Sequence, residues 1–145
     1  MIRGSVTHPY ILSALASAGH KARILIADGH YSSSTNVNPR AQVVHLNLRP
    51  GLPTVTDVFD ALAETIAIEH AAVIRATEDA LPCVVQDELR ARLMGLAGGP
   101  VPMVEIERED FYDQSRGHEL ALCIVTGDTR RFGNVLLTVG VLRTE

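Results

Sequence analysis

Apolar residues fall along this chain in two kinds of run, with stretches rich in Gly, Pro, Ser and Asn between them. One kind recurs every three or four residues and predicts helices. The other is short, unbroken and branched, and predicts strands. Residues 7–18 are of the first kind: Thr7 can cap, Pro9 suits a first turn, and Ile11, Leu12 and Leu15 share a face. Gly19 stands where a helix commonly ends. Arg23-Ile-Leu-Ile-Ala27 is of the second kind and reads as a strand buried on both faces, stopped by the turn signal Asp28-Gly29. Residues 28–41 carry no period and predict a long loop on the end of that strand, a place where function often resides.

A second short strand is expected at 42–46, and a helix at 57–69, where Val58, Leu62 and Ile66 recur at i+4. A strand follows at 71–74, a helix at 83–96 ahead of Gly98-Gly99-Pro100, a strand at 103–106 and a short helix at 108–118. Residues 120–126 and 134–141 predict two more strands, closing the chain as an antiparallel pair around a turn begun by Gly127-Asp128. The alternation predicts an α/β fold, one domain over residues 1–145, with a mixed, largely parallel sheet flanked by helices.

Composition narrows the picture. The 145 residues suit one domain, and 46% hydrophobic content with only 4% aromatics and no Trp predicts an aliphatic core. The formal charge is −4 and no basic run exceeds Arg130-Arg131, which argues against nucleic acid as the main partner. A small anionic ligand stays open. Cys83 and Cys123 sit among apolar neighbours without a metal or disulfide spacing, and read as buried, reduced thiols. No apolar run approaches the ~18 residues that span a bilayer. Residues 1–4 are followed by no signal-like apolar region, so the expected location is cytoplasmic, with no membrane partner.

Polar groups collect beside the predicted strands in four places. His20 precedes the strand at 23–27; Asp28, His30 and Tyr31 follow it; Arg108 follows the strand at 103–106; and Thr126 to Asn134 form the closing turn. Each has a plain structural reading as a cap, a turn or a solvated charge, and none alone identifies an enzyme. Six histidines (8, 20, 30, 45, 70 and 118) raise the question of a metal, but none forms an HxH or HxxxH pair, so no metal is expected. Ser32 to Ser34 lack the glycine pattern of a phosphate loop, and no GxSxG elbow is present.

Taken in order, these segments resemble the ribose pyranase / fucose mutarotase family. Gly19-His20 followed by Ile-Leu-Ile-Ala-Asp28 is similar to the family's Gly-His and strand-Ala-Asp signature. Ile106-Glu-Arg108 with Phe111-Tyr112 is similar to the fucose mutarotase branch, where the ribose pyranase branch usually has His at position 108. Val125-Thr-Gly-Asp-Thr-Arg130, Phe132-Gly-Asn134 and Gly140-Val141 are similar to the C-terminal signature. The matching blocks span the whole chain.

The resemblance implies an RbsD-like domain that interconverts anomers or ring forms of a free monosaccharide such as L-fucose, with no cofactor. It implies assembly into a ring-shaped homo-oligomer, a decamer in several members. Carried over by position, it implies His20 as proton donor and Asp28, Arg108, Phe132, Gly133 and Asn134 as sugar-binding residues. Imidazole suits this chemistry because its ordinary pKa lies near neutrality. The family usually has Tyr where Phe132 stands here, and Tyr31 is the accessory candidate for the missing hydroxyl. The alternative is a sugar-binding or sensing protein of the same fold with weakened catalysis. His20 and Asp28 flank the strand at 23–27, so they are expected to be more than ~20 Å apart along an extended chain. Sites shared between subunits follow from that spacing.

Overall fold

The computed structural model describes residues 1–144. Its elements are α1 (Pro9–Ser17), β1 (Arg23–Ala27), β2 (Gln42–His45), α2 (Val55–Ala63), β3 (Ile68–Ile74), α3 (Val84–Met94), β4 (Met103–Ile106), α4 (Arg108–Arg116), β5 (Leu120–Val125) and β6 (Val135–Val139). One six-stranded sheet has the order β2-β5-β1-β6-β3-β4. Five strands run in one direction, and β6 alone is antiparallel to both of its neighbours, β1 and β3. Helix α1 packs on β2 and β5, α2 on β1 and α3, and α4 on β3 and β5. Among these residues no helix is long and apolar enough to cross a membrane.

Strand β1 is one of the two central strands, and its Ile24 to Ala27 are wholly excluded from solvent, as its unbroken apolar run requires. Most of the other buried side chains are aliphatic, with Phe59 and Phe111 the largest aromatics fully enclosed. Cys83 and Cys123 are free and buried, and burial pushes the Cys123 thiol up to about 12. Such a thiol is an inert packing group at neutral pH.

Local chemistry moves three boundaries from their sequence expectations. The cap of α1 is His8, not Thr7: its Nδ1 accepts the N–H groups of Tyr10 and Ile11. Helix α2 starts at Val55 because Thr54 and Asp57 form a reciprocal capping box, and it ends at Ala63. The N–H groups of Thr65 and Ile66 fold back onto Leu62, which frees the chain to begin β3 at Ile68 instead of extending the helix to 69.

The larger correction is topological. Strands β5 and β6 do not pair with each other; β1 lies between them. After β5 the chain is carried across the end of β1. Thr126 donates both its N–H and its hydroxyl to the Ala27 carbonyl, and Gly29 donates to the Asp128 carbonyl at 2.8 Å. Gly127 threads so close to the carbonyls of Arg49 and Leu52 that a Cβ there would approach both to 2.4 Å. Only glycine fits.

Asp128 locks this crossing. Its buried carboxylate accepts from the backbone of Val55 and Arg130 and from the Arg130 guanidinium, which also reaches Glu88 on α3 at 2.8 Å. Burial alone would push the Asp128 carboxyl up, but Arg130 and the two N–H donors together hold it below the ordinary range. The folded value is therefore the lower one, so this stabilisation is full above the ordinary carboxylate value of 3.8 and drains as pH falls through the depressed one. Arg130→Ala is expected to cost about 2–4 kcal/mol near neutrality, discounted for the solvent access of the guanidinium. The check is denaturant midpoints: the gap from wild type should narrow in acid, and an unchanged midpoint at neutral pH would contradict the clamp.

Candidate functional site

At the carboxyl ends of β1, β3 and β4 the surface opens into a cleft of about 240 Å³ lined by Asp28, His30, Tyr31, Ile74, Arg108, Tyr112, Arg131, Phe132 and Asn134. Ligand crevices of α/β sheets form at such ends. Asp28 is the first residue beyond β1 and is almost fully buried. Its Oδ1 accepts the His30 N–H at 2.9 Å, and its own N–H donates to Asn134 Oδ1 at 2.7 Å. Burial pushes the Asp28 carboxyl up; the N–H groups of His30 and Gly133 resist this in part. With Asn134 Oδ1 turned to the Asp28 N–H, its amide N–H₂ makes no bond among the described residues and is the donor it offers a ligand.

Arg108 opens α4 directly after β4 and is exposed. Its guanidinium carbon lies 5.8 Å from the Phe132 ring centre, and that of Arg131 lies 5.3 Å from the same ring. Arg131 is also paired with Asp79 at 3.0 Å. Phe132 has φ of +62°, a costly conformation for an aromatic residue. Gln86, buried on α3, holds it there: its amide donates to the carbonyls of Phe132 at 3.0 Å and Ile74 at 2.8 Å. One side chain thus ties the end of β3 to the turn that carries Phe132, Gly133 and Asn134.

The fold gathers Asp28, Tyr31, Arg108, Phe132 and Asn134 around one cleft, with Gly133 packed beside Asp28. His20 is not among them. It lies beyond the opposite end of β1, where its Nε2 is 2.9 Å from Glu69 Oε2. Five extended residues at roughly 3.3 Å each make β1 about 17 Å long, so one sugar cannot touch both ends. A larger cavity of about 550 Å³ is bordered by Glu69 and Gly140 at this far end.

Tyr31 lines the cleft, but its hydroxyl donates to the Asn36 carbonyl at 2.8 Å and so is not free to replace a phenol at 132. Burial pushes this phenol up to about 12, so it stays protonated at physiological pH. Ile74, Tyr112 and Arg131 were not assigned to the site by sequence; Tyr112 entered only in the Phe111-Tyr112 block and Arg131 only within the closing turn. Among the described residues, no three His, Cys, Asp or Glu side chains converge as metal ligands.

The sequence profile of the RbsD / FucU transport protein family matches residues 1–142. The chain is 30% identical over 141 residues to a D-ribose pyranase of Streptomyces avermitilis, covering 97% of this chain and 98% of that one. It is 27% identical over 141 residues to an L-fucose mutarotase of Glaesserella parasuis, covering 92% and 89%. Its fold is similar to that of Bacillus subtilis RbsD complexed with D-ribose, with a TM-score of 0.74 and 24% identity over 99% of this chain and 100% of the other.

Tyr31→Phe separates a tethered hydroxyl from one that faces the cleft. Loss of the bond to Asn36 is expected to lower stability by about 0.5–1.5 kcal/mol. An unchanged denaturant midpoint would place the hydroxyl in solvent instead.

Proposed function

The chain belongs to the RbsD / FucU transport protein family, and from that membership we propose that it is a cofactor-independent monosaccharide mutarotase, with His20 as its proton donor. In this reading the substrate is a free sugar such as L-fucose. Asp28, Arg108, Phe132, Gly133 and Asn134 hold it. The protein works in the cytoplasm as a ring-shaped homo-oligomer, a decamer by analogy with the family. The relatives are named for both ribose and fucose; Arg108, the residue type of the fucose branch, is the reason to place L-fucose first.

The single observation that carries the reading is the cleft itself. It sets a buried carboxylate, a fixed amide and a guanidinium without a hydrogen-bond partner among the described residues beside an aromatic ring. Sugars present hydroxyl donors and acceptors on a ring with an apolar face, and these groups match that pattern. Asp28 accepts a hydroxyl proton, while Arg108 and Asn134 donate to oxygens.

The reaction asks little beyond proton transfer. As the C1–ring oxygen bond breaks, the ring oxygen takes a proton from His20 and the C1 hydroxyl gives its proton to solvent, leaving a carbonyl. Reclosure on the other face of that carbonyl gives the other anomer: the attacking hydroxyl returns its proton to the imidazole, and the carbonyl oxygen takes one from solvent to become the new anomeric hydroxyl. Mutarotation proceeds unaided in water, so the barrier needs no electron sink. Acid–base help of about 10²–10⁴-fold is the scale to expect. Since His20 stands at the far end of β1 from Asp28, the donor comes from a second copy of the chain in this account.

One observation favours a second reading, a sugar-binding protein with weakened catalysis. Phe132 brings no hydroxyl, and that of Tyr31 is committed to Asn36. NMR anomer exchange across L-fucose, D-ribose, D-galactose and related free sugars decides between the two. Faster exchange for one sugar, abolished in His20→Ala with the oligomer intact by light scattering, is the expected result. Binding without acceleration across the panel would favour the second reading, and full activity in His20→Ala would remove the role given to His20.

A further inference from the structure

The cleft at the carboxyl ends of the strands is cationic, on a chain whose formal charge is −4. Two guanidiniums line it, Arg108 from the start of α4 and Arg131 from the turn before β6. Among the described residues Asp28 is the one carboxylate in the lining; it is almost fully buried, and its Oδ1 already accepts the His30 N–H. His30 turns Nε2 to the Thr129 carbonyl and Tyr31 stays protonated, so neither adds negative charge. A positive pocket on an acidic molecule concentrates anions that the rest of the surface repels.

Both guanidiniums stand against the Phe132 ring, 5.8 Å and 5.3 Å from its centre. Two like charges are thus held within roughly a Debye length of each other, about 10 Å, and an anion beside both relieves that repulsion. Arg108 has its contact with the ring and no ion pair among the described residues. Arg131 is gripped from outside the cleft. Its Nη1 meets Asp79 Oδ2 at 3.0 Å, while Thr77 donates its hydroxyl to the other Asp79 oxygen, in the short turn Glu78–Ala80. Those bonds, Thr77's first, hold the Asp79 carboxyl below its ordinary range, so the grip is present at neutral pH. The pair is exposed, 58% for Arg131 and 68% for Asp79, where water screens it and its energy is small. It aims the guanidinium and leaves Nε and Nη2 with no bond among the described residues. A planar fork with two open donors takes a carboxylate or phosphate side-on.

We propose that the cleft selects a free sugar carrying an anionic group, a carboxylate or a phosphate monoester, over its neutral counterpart, and that Arg131 sets this preference. Asp28 and the Asn134 amide hold hydroxyls. Arg131, aimed by Asp79 and the Phe132 ring, takes two anionic oxygens with Nε–H and Nη2–H, and Arg108 adds its charge to the same group. The inference rests on the mutarotase reading and narrows its substrate class. A neutral sugar such as L-fucose still meets the hydroxyl-binding groups but leaves the two cations uncompensated.

The test uses the full-length oligomer and two matched sets of free sugars: D-galactose, D-galacturonate and D-galactose 6-phosphate, and the same three forms of D-glucose. Anomer exchange is followed by NMR, with L-fucose alongside and uncatalysed exchange subtracted. The expected result is a kcat/KM at least about tenfold higher for one anionic form than for its neutral parent, the scale of one charge-assisted hydrogen bond. Which anion wins separates a carboxylate substrate from a phosphate one. Arg131→Gln should bring that ratio to within about threefold of one, Arg131→Lys should keep more of it, and added salt should shrink it. Acceleration of neutral sugars, with no anionic form faster than its parent, would overturn the inference and leave the mutarotase reading standing. A ratio unchanged in Arg131→Gln would overturn the part given to Arg131. If wild type accelerates no sugar, the mutarotase reading falls, and calorimetric titration of the same sets reads the preference alone. No difference between the forms would then overturn it; tighter binding of an anionic form, lost in Arg131→Gln, would uphold it.

Discussion

The length of β1 is the constraint on which the rest depends. A buried, five-residue extended strand holds its ends apart, and the chain has placed proton-active groups beyond both. Asp28 leaves the carboxyl end into a cleft; His20 enters at the amino end beside Glu69. Neither can be moved toward the other, because Ile24 to Ala27 are wholly enclosed and bonded to β5 on one side and β6 on the other. The sheet acts as a rigid spacer, and a site that uses both ends needs two copies of it.

β6 sets what accompanies each end. Because it runs antiparallel between β1 and β3, its start delivers Asn134 to Asp28 and its finish delivers a landing for Lys21 and Ala67. The turn that precedes it stores strain at Phe132, which Gln86 and the Asp128–Arg130 pair offset by pinning both flanks. Cleft and clamp thus share one turn: the Asp128–Arg130 pair secures its start over the end of β1, and Phe132, with Arg108 and Arg131 against its ring, lines the cleft from its end.

Much of the frame was legible in the residues. The run Arg23 to Ala27 gave its strand without error, because a branched, unbroken run bounded by Asp-Gly admits little else. Caps were less legible: His8 and Thr54 win their places through hydrogen bonds that hydrophobic spacing does not register. The pairing of β6 was hidden for a deeper reason. Neighbouring strands in sequence pair most often, and only the bonds from Thr126 and Gly29 across the end of β1 reveal that the chain passes over it. The site divides in the same way. Asp28, Arg108 and Phe132 to Asn134 came together by resemblance, since separations of about a hundred residues carry no geometry of their own. Arg131 and Glu69 went unnoticed because each matters only through a neighbour that the fold supplies: the Phe132 ring for one, and His20 across β6 for the other.

The central claim is that one catalytic site draws on both ends of β1 from different copies, and mixed oligomers test it most directly. His20→Ala and Arg108→Ala chains, each impaired alone, would be co-expressed with distinct tags and the mixed rings purified through both. If the sites are shared between copies, exchange activity should return, with roughly a quarter of the sites intact on random assembly. Mixed rings no more active than the two parents would contradict the account and put His20 and the cleft to separate uses.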